Sequence, residues 1–386
     1  VPAAGPAWRL GPFFFCYYAT AGVLAPYFPL YLEARGLSAA QIGVAMAVAQ
    51  AMRVVGPTFW GWLADRTSQR ERILRATAAA ALVAFLPILL PGGFGLVLAV
   101  MLLFHFVLTG QVPTAEAIAT AHLHGHPHAA AQYGRLRAWG SIGFIALVLG
   151  AGAVLDRTGV EVTPYLVLGL LALTLAAAMA ARDAPVASSA QEPVSVRARL
   201  REPRVRWFFL SVLLMIFAHG AMYTYLSLYL AQLGYSKTAI GAFWIMGVVI
   251  EIGLFFFQGR LFRRFAPFRL LETTFALAAL RFLLIAEFAH VLPLLVIAQL
   301  LHAVTFALHH SASVLTIQRW FPGRAAARGQ ALYISVGYGA GGTLGSLVAA
   351  WLWSSVSPAS AFLSSSAAAL AGWWAVRVAQ RLDRPA

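Results

Sequence analysis

Hydrophobic residues in this chain run on continuously for about twenty positions at a time, with short polar gaps between the runs. That is the length of helix needed to cross a bilayer core. Continuous runs argue against the alternating strands of an outer-membrane barrel. The pattern predicts an all-α membrane protein with twelve transmembrane helices, at 11–32, 41–64, 73–91, 94–121, 137–155, 162–181, 206–231, 239–259, 270–289, 292–318, 329–353 and 359–378. The runs are rich in Gly, Ala and Leu and also contain Pro. Small residues let membrane helices approach closely. The first run is long for a signal peptide and continues into Glu33 and Arg35 without a small-residue cleavage site, so no cleavable leader is expected.

Composition agrees. The 386 residues are 61% hydrophobic and 11% charged, with mean hydropathy +0.77, whereas a soluble domain carries about 25% charged residues. The formal charge of +15 would suit nucleic acid, but its placement argues otherwise. With the N-terminus inside, 23 of the 28 basic residues fall in cytoplasmic segments, Arg35, Arg157 and Lys237 fall outside, and Arg53 and Arg281 lie mid-span. This asymmetry follows the positive-inside rule. It predicts cytoplasmic termini in a multi-pass bacterial inner-membrane protein, with lipid rather than nucleic acid around it. A monomer is expected.

The polar stretch 182–205 holds Pro185, Pro193 and Pro203 with Ser188, Ser189 and Ser195. It reads as a cytoplasmic linker between a first six-helix half, 1–181, and a second, 206–386. An internal repeat supports the division: 30–43 aligns on 228–241 without gaps, with seven of fourteen positions identical, at an offset of 198. The offset also carries Gly61 onto Gly259 and Leu63 onto Leu261. An even number of spans separates the copies, so they share one orientation.

After the second span comes Gly61-Trp-Leu-Ala-Asp-Arg-Thr-Ser-Gln-Arg70. It resembles the cytoplasmic signature of the major facilitator superfamily, with Ser68 where the family has a later Gly. The resemblance implies two parallel six-helix halves around a midplane solute site, alternating access, and a cytoplasmic gate latch using Gly61, Asp65, Arg66 and Arg70. Within the superfamily the chain resembles the branch of lactose and phenylpropionate permeases over nearly its whole length. The motifs are Tyr27–Leu32, Pro113–Ala117 and Gly134–Gly140. By that resemblance Glu116, Arg137 and Phe144 fall on substrate-binding positions, and Arg281 and His302 on the proton machinery. Two departures stand out: Thr305 and Gln299 occupy positions where the lactose permease carries Glu and Lys.

Ionisable groups at mid-membrane cost at least about 2.5–3.5 kcal/mol on insertion scales and usually carry function. Arg53 and Glu251 are related by the offset of 198, so the halves bear opposite charges at one depth. Glu251 is expected to carry a proton, released or accepted as Arg281 approaches or withdraws, since burial raises a carboxyl pKa and a guanidinium lowers it. The alternative is a structural ion bridge between Glu251 and Arg281. Glu116 and Arg137, helped by Arg53, are expected to bind substrate, with Trp139, Phe144, His219 and Tyr223, and also Tyr17, Tyr18 and Tyr225, as cavity candidates. The positive excess favours a small organic anion, with a neutral oligosaccharide or nucleoside as the alternative and efflux by antiport as a third. The chain contains no Walker, HExxH or GxSxG motif and only one cysteine, Cys16. A transporter rather than an enzyme is therefore expected, without cofactor or metal. His122, His124, His126 and His128 read as a solvated loop.

Overall fold

The computed structural model describes residues 6–123, 128–183, 199–322 and 326–383. Among these residues twelve helical rods follow one another: α1 (Ala7–Ala34), α2 (Ala39–Ala64), α3 (Arg70–Leu89), α4 (Phe94–Leu123), α5 (Ala131–Thr158), α6 (Val160–Met179), α7 (Pro203–Gln232), α8 (Lys237–Arg264), α9 (Pro267–Phe288), α10 (Leu292–Trp320), α11 and α12 (Pro358–Asp383). The rod α11 runs from Ala326–Tyr333 through a π-helical stretch, Ile334–Gly341, into Gly342–Ser355. Ten of the rods are long and apolar enough to span a membrane. The charges on α9 and the glycines of α11 dilute the other two. Each predicted span falls on one rod. Most of the linker, 184–198, lies outside the described residues, as do His124 and His126.

The chain forms two compact units. Unit 1 comprises Val1–Ser38, Met52–Ser188 and Ser236–Gly241, and unit 2 comprises Ala39–Ala51, Ser189–Tyr235 and Ala242–Ala386. Each unit therefore holds most of one repeat together with the opening turns of the other repeat's second helix.

Inside each unit the packing is duplicated. In unit 1, α1 lies along α5 and α6, and α3 packs on α4 and α6; in unit 2, α7 lies along α11 and α12, and α9 packs on α10 and α12. Glycines set the closest approaches. A Cβ at Gly143 would overlap the carbonyl oxygen of Phe15, and one at Gly341 that of Leu213. Gly22 sits against the Phe144 carbonyl, and Gly220 against the Gly345–Ser346 backbone. The offset of 198 relates all three of these pairs: Gly143 to Gly341, Phe15 to Leu213, and Gly22 to Gly220. Lipid offers no hydrophobic drive between apolar helices, so such backbone contact is what holds them together.

The repeat also governs the turns. Gly36 and Gly234 both adopt φ near +85° (+85° and +86°), a conformation that glycine enters without a Cβ penalty. The Tyr27 hydroxyl lies 2.7 Å from Val148 O and 3.2 Å from Lys237 O, and the Tyr225 hydroxyl donates to Ala39 O at 2.6 Å. Tyr27 and Tyr225 are 198 apart, as are Ala39 and Lys237. Asp156, at the end of α5, accepts from the Lys237 and Thr238 amides and the Thr238 hydroxyl. A side chain from another helix thereby supplies the N-terminal cap of α8.

Gly143→Val and Gly341→Val are each expected to destabilise by at least about 2 kcal/mol, because backbone cannot yield to a new side chain as a rotamer can. Thermal unfolding of purified protein in detergent checks this: an unchanged midpoint would contradict the close approach. Ser68 has φ +52° and is the one described non-glycine residue with positive φ. Ser68→Gly is expected to stabilise by about 0.5–1 kcal/mol, the relief of Cβ crowding exceeding the added freedom of the unfolded chain. The same midpoint should rise.

Candidate functional site

In unit 1 a charged pair bridges α4 and α5. Arg137 Nε lies 3.4 Å from Glu116 Oε1, and both side chains are about one-third exposed (33% and 36%). The Arg137 guanidinium lies 4.1 Å over the Tyr18 ring, donates to the Tyr18 hydroxyl, and stands 5.8 Å from the Phe14 ring. Gly140 makes this possible: a Cβ there would come within 2.6 Å of Tyr18 Cδ2 and 2.9 Å of Arg137 Nη1. Arg53, exposed on α2, is near enough to act electrostatically on Tyr17, Tyr18 and His105. The result is two guanidiniums, one carboxylate and two tyrosines carried by four helices. Such a set can ion-pair an anion, accept from hydroxyls and stack on a ring.

Phe144 lies seven residues beyond Arg137, on the same face of α5. Trp139, two residues from Arg137, points to the opposite face. It is 42% exposed, packs on Gly11 and lines an open apolar recess of about 280 Å³ with Pro12, Phe15 and Cys16. Its expected place beside the charged pair is thus corrected by helical geometry.

In unit 2 a second constellation surrounds Arg281 of α9, which is 0% exposed. Its Nε donates to Ala298 O at 2.9 Å, Nη1 lies 3.3 Å from His219 Nε2, and Nη2 is 2.8 Å from Met222 Sδ. The guanidinium also lies 5.1 Å from the Phe282 ring. His219 Nδ1 lies 2.9 Å from Met215 O. A carbonyl only accepts, so Nδ1 carries the proton and Nε2 offers its lone pair to Arg281. His302, 6.0 Å from the His219 ring and stacked on Phe306, completes the cluster, and Tyr223 stands 6.2 Å from His219. His219, expected with the substrate group, is a partner of Arg281 instead.

The expected Glu251–Arg281 bridge is not formed: none of the ion pairs among the described residues includes either side chain. Glu251 sits half-buried on α8. Tyr225 is a packing residue, fully buried and stacked on Trp353.

The signature loop supplies Arg70 to a pair of its own. Arg70 forms a two-pronged pair with Asp183, Nε to Oδ2 at 3.0 Å and Nη2 to Oδ1 at 2.7 Å, within unit 1. Arg66 lies 5.4 Å over the Trp62 ring, and nothing lies within 4 Å of a Cβ on Gly61. The Asp65 side chain is outside the described set. His122 Nε2 donates to Arg182 O at 2.7 Å, which ties it to the end of the first half.

A protein-family model described as "MFS_1 like family" matches residues 7–364. This chain belongs to that family. It is 28% identical over 332 residues to a probable 3-phenylpropionic acid transporter of Escherichia coli (strain K12), covering 84% of this chain and 86% of the relative. It is 29% identical over 353 residues to a maltose permease of Geobacillus stearothermophilus, covering 88% and 86%. The crystal structure of the nucleoside transporter NupG superposes with a TM-score of 0.83 over 98% of this chain and all of that one, at 16% identity, a likeness of fold. This MFS_1-like chain is therefore a multi-pass membrane transporter.

Sequence reasoning placed Glu116 and Arg137 but missed Gly140 and Asp183. The glycine's signal was its spacing of three from Arg137. Asp183 had none, because its partner is 113 residues away. Arg70→Ala and Asp183→Asn are each expected to cost about 1–2 kcal/mol, the scale of charge-assisted hydrogen bonds. The double variant should lose no more than either single one. Thermal midpoints in detergent read this, and fully additive losses would show that the pair does not act as a unit.

Proposed function

We propose that this transporter carries a small organic carboxylate into the cell together with protons, by alternating access. The Glu116–Arg137 pair seated on Tyr18 carries this reading: it is a partly exposed, preformed polar site in otherwise apolar helices. Arg53 and Arg137 outnumber Glu116, which suits a monoanion, while Tyr18 and Phe144 suit an aromatic ring. The similarity to a probable 3-phenylpropionic acid transporter supports an aromatic acid. We assign proton carriage to Glu251, a carboxyl at mid-span that forms no ion pair among the described residues, whose protonation would cancel a membrane-embedded charge. Without Arg281 as its counter-ion, Glu251 would take and release its proton through changes in hydration alone.

A neutral sugar is the second reading. The relative named a maltose permease and the acceptor-only carboxylate of Glu116, which is suited to hydroxyl groups, both favour it.

Proteoliposomes with an acidic exterior test both. Accumulation of 3-phenylpropionate is expected, with Arg137→Ala reducing uptake at least tenfold and Glu251→Gln abolishing accumulation while sparing exchange at equal pH. Accumulation of maltose but not of the acid would favour the sugar. A Glu251→Gln protein that still accumulates solute against its gradient would remove Glu251 from the coupling.

A further inference from the structure

We infer that Arg281 is the receptor of a buried monoanion site within unit 2, separate from the Glu116–Arg137 pair and independent of whether the acid is carried. A guanidinium removed from water is expensive unless paired, and it does not shed its proton. Arg281 is 0% exposed, yet among the described residues no carboxylate forms an ion pair with it. Its three observed partners are a carbonyl, a neutral imidazole and a thioether. None carries negative charge, and five N–H donors are available to three contacts.

Other donors converge on the same place. The turn of α10 whose Ala298 carbonyl meets Arg281 also bears Gln299 and His302, which are 2% and 8% exposed. Gln299 Nε2 and His302 Nδ1 are both buried without a hydrogen-bond partner. Buried polar atoms of this kind are rare in folded proteins and call for an explanation. A carboxylate or halide bound by Arg281, the Gln299 amide and the His302 N–H explains the unpaired charge and both orphaned atoms at once. The neutral tautomer of His219 keeps a second cation away from the anion's partner. Gly247 lets the His302 ring settle here, since a Cβ on it would come within 2.7 Å of His302 Cδ2. Within α10 the π-helical stretch Val304–Leu308 follows directly on this turn, and such bulges frequently mark functional sites.

A bound carboxylate would come from a solute and a bound halide from the medium, and the test separates them. Full-length Arg137→Ala protein in detergent, which lacks the guanidinium of the Glu116–Arg137 pair and serves as the background for the variants below, is titrated with sodium 3-phenylpropionate against its neutral isostere 3-phenylpropanamide. Sodium bromide is titrated against sodium sulfate at equal ionic strength, with binding followed by calorimetry and thermal midpoint. Saturable binding of acid, bromide or both is expected, with the amide inert. Acid alone identifies a solute carboxylate, and bromide alone a halide. Arg281→Gln should weaken the binding at least about thirtyfold, the scale for losing one partner of a buried charge pair, and Arg281→Lys should weaken it less. If Arg281→Gln does not fold, Gln299→Leu and His302→Phe keep the cation and remove the orphaned donors, and each should weaken binding severalfold. Equal binding of acid and amide, no binding of either anion, or undiminished affinity in these variants would overturn the site. A protein that binds the acid through Arg281 but does not carry it would sink the transport reading and leave this one standing.

Discussion

Backbone contact between helices at glycine is the constraint on which this structure depends. In lipid, two apolar helices gain little by hiding from the solvent, and close packing must hold them instead. Gly143 lets α5 reach the backbone of α1 at Phe15, and Gly341 lets α11 reach α7 at Leu213. The candidate solute site depends on the first of these contacts. One turn from Gly143, Gly140 leaves room for Tyr18 of α1 to lie under the Arg137 guanidinium. Arg137 and Gly143 are six positions apart on one helix with Gly140 midway, so the candidate site can be no better ordered than the packing.

The membrane charges meet their cost in three ways. Arg137 has a carboxylate and an aromatic face, and it remains partly exposed. Glu251 forms no ion pair among the described residues and stays only half-buried. Arg281 has neither option, being fully buried and unable to lose its proton. The helix ends use conventional pairs. Asp183 clasps Arg70 at the end of α6, and Asp383 accepts from Arg204, Arg319 and the Trp320 indole at the end of α12. Each acid thus ties down the end of the last helix of its half, although the offset of 198 does not relate the two.

The repeat shows which features two copies of a unit keep. The positive-φ pair Gly36 and Gly234 and the crossing glycines Gly22 and Gly220, Gly143 and Gly341 recur at the offset of 198, where a Cβ would be strained or would meet backbone. Charged positions diverge, with Arg53 facing Glu251 in the alignment, because a charge can be re-paired by a neighbour that sequence distance hides. Ser68 is the exception among the turns, holding a conformation better suited to glycine.

The sequence by itself determined the solvent and the repeat, because bilayer thickness fixes run length and lipid excludes unpaired backbone. It also singled out Glu116 and Arg137 as candidates, since polar residues in an apolar run stand out without any knowledge of neighbours. Only the tertiary structure decided who meets whom. Trp139 was lost to the far face of α5 by a 3.6-residue period, and His219 went to Arg281, 62 residues away. Arg70 went to Asp183, and Glu251 and Arg281 remained apart. Pairing depends on helix rotation and crossing, which are set by side-chain shape across distant segments and leave no local mark on the chain.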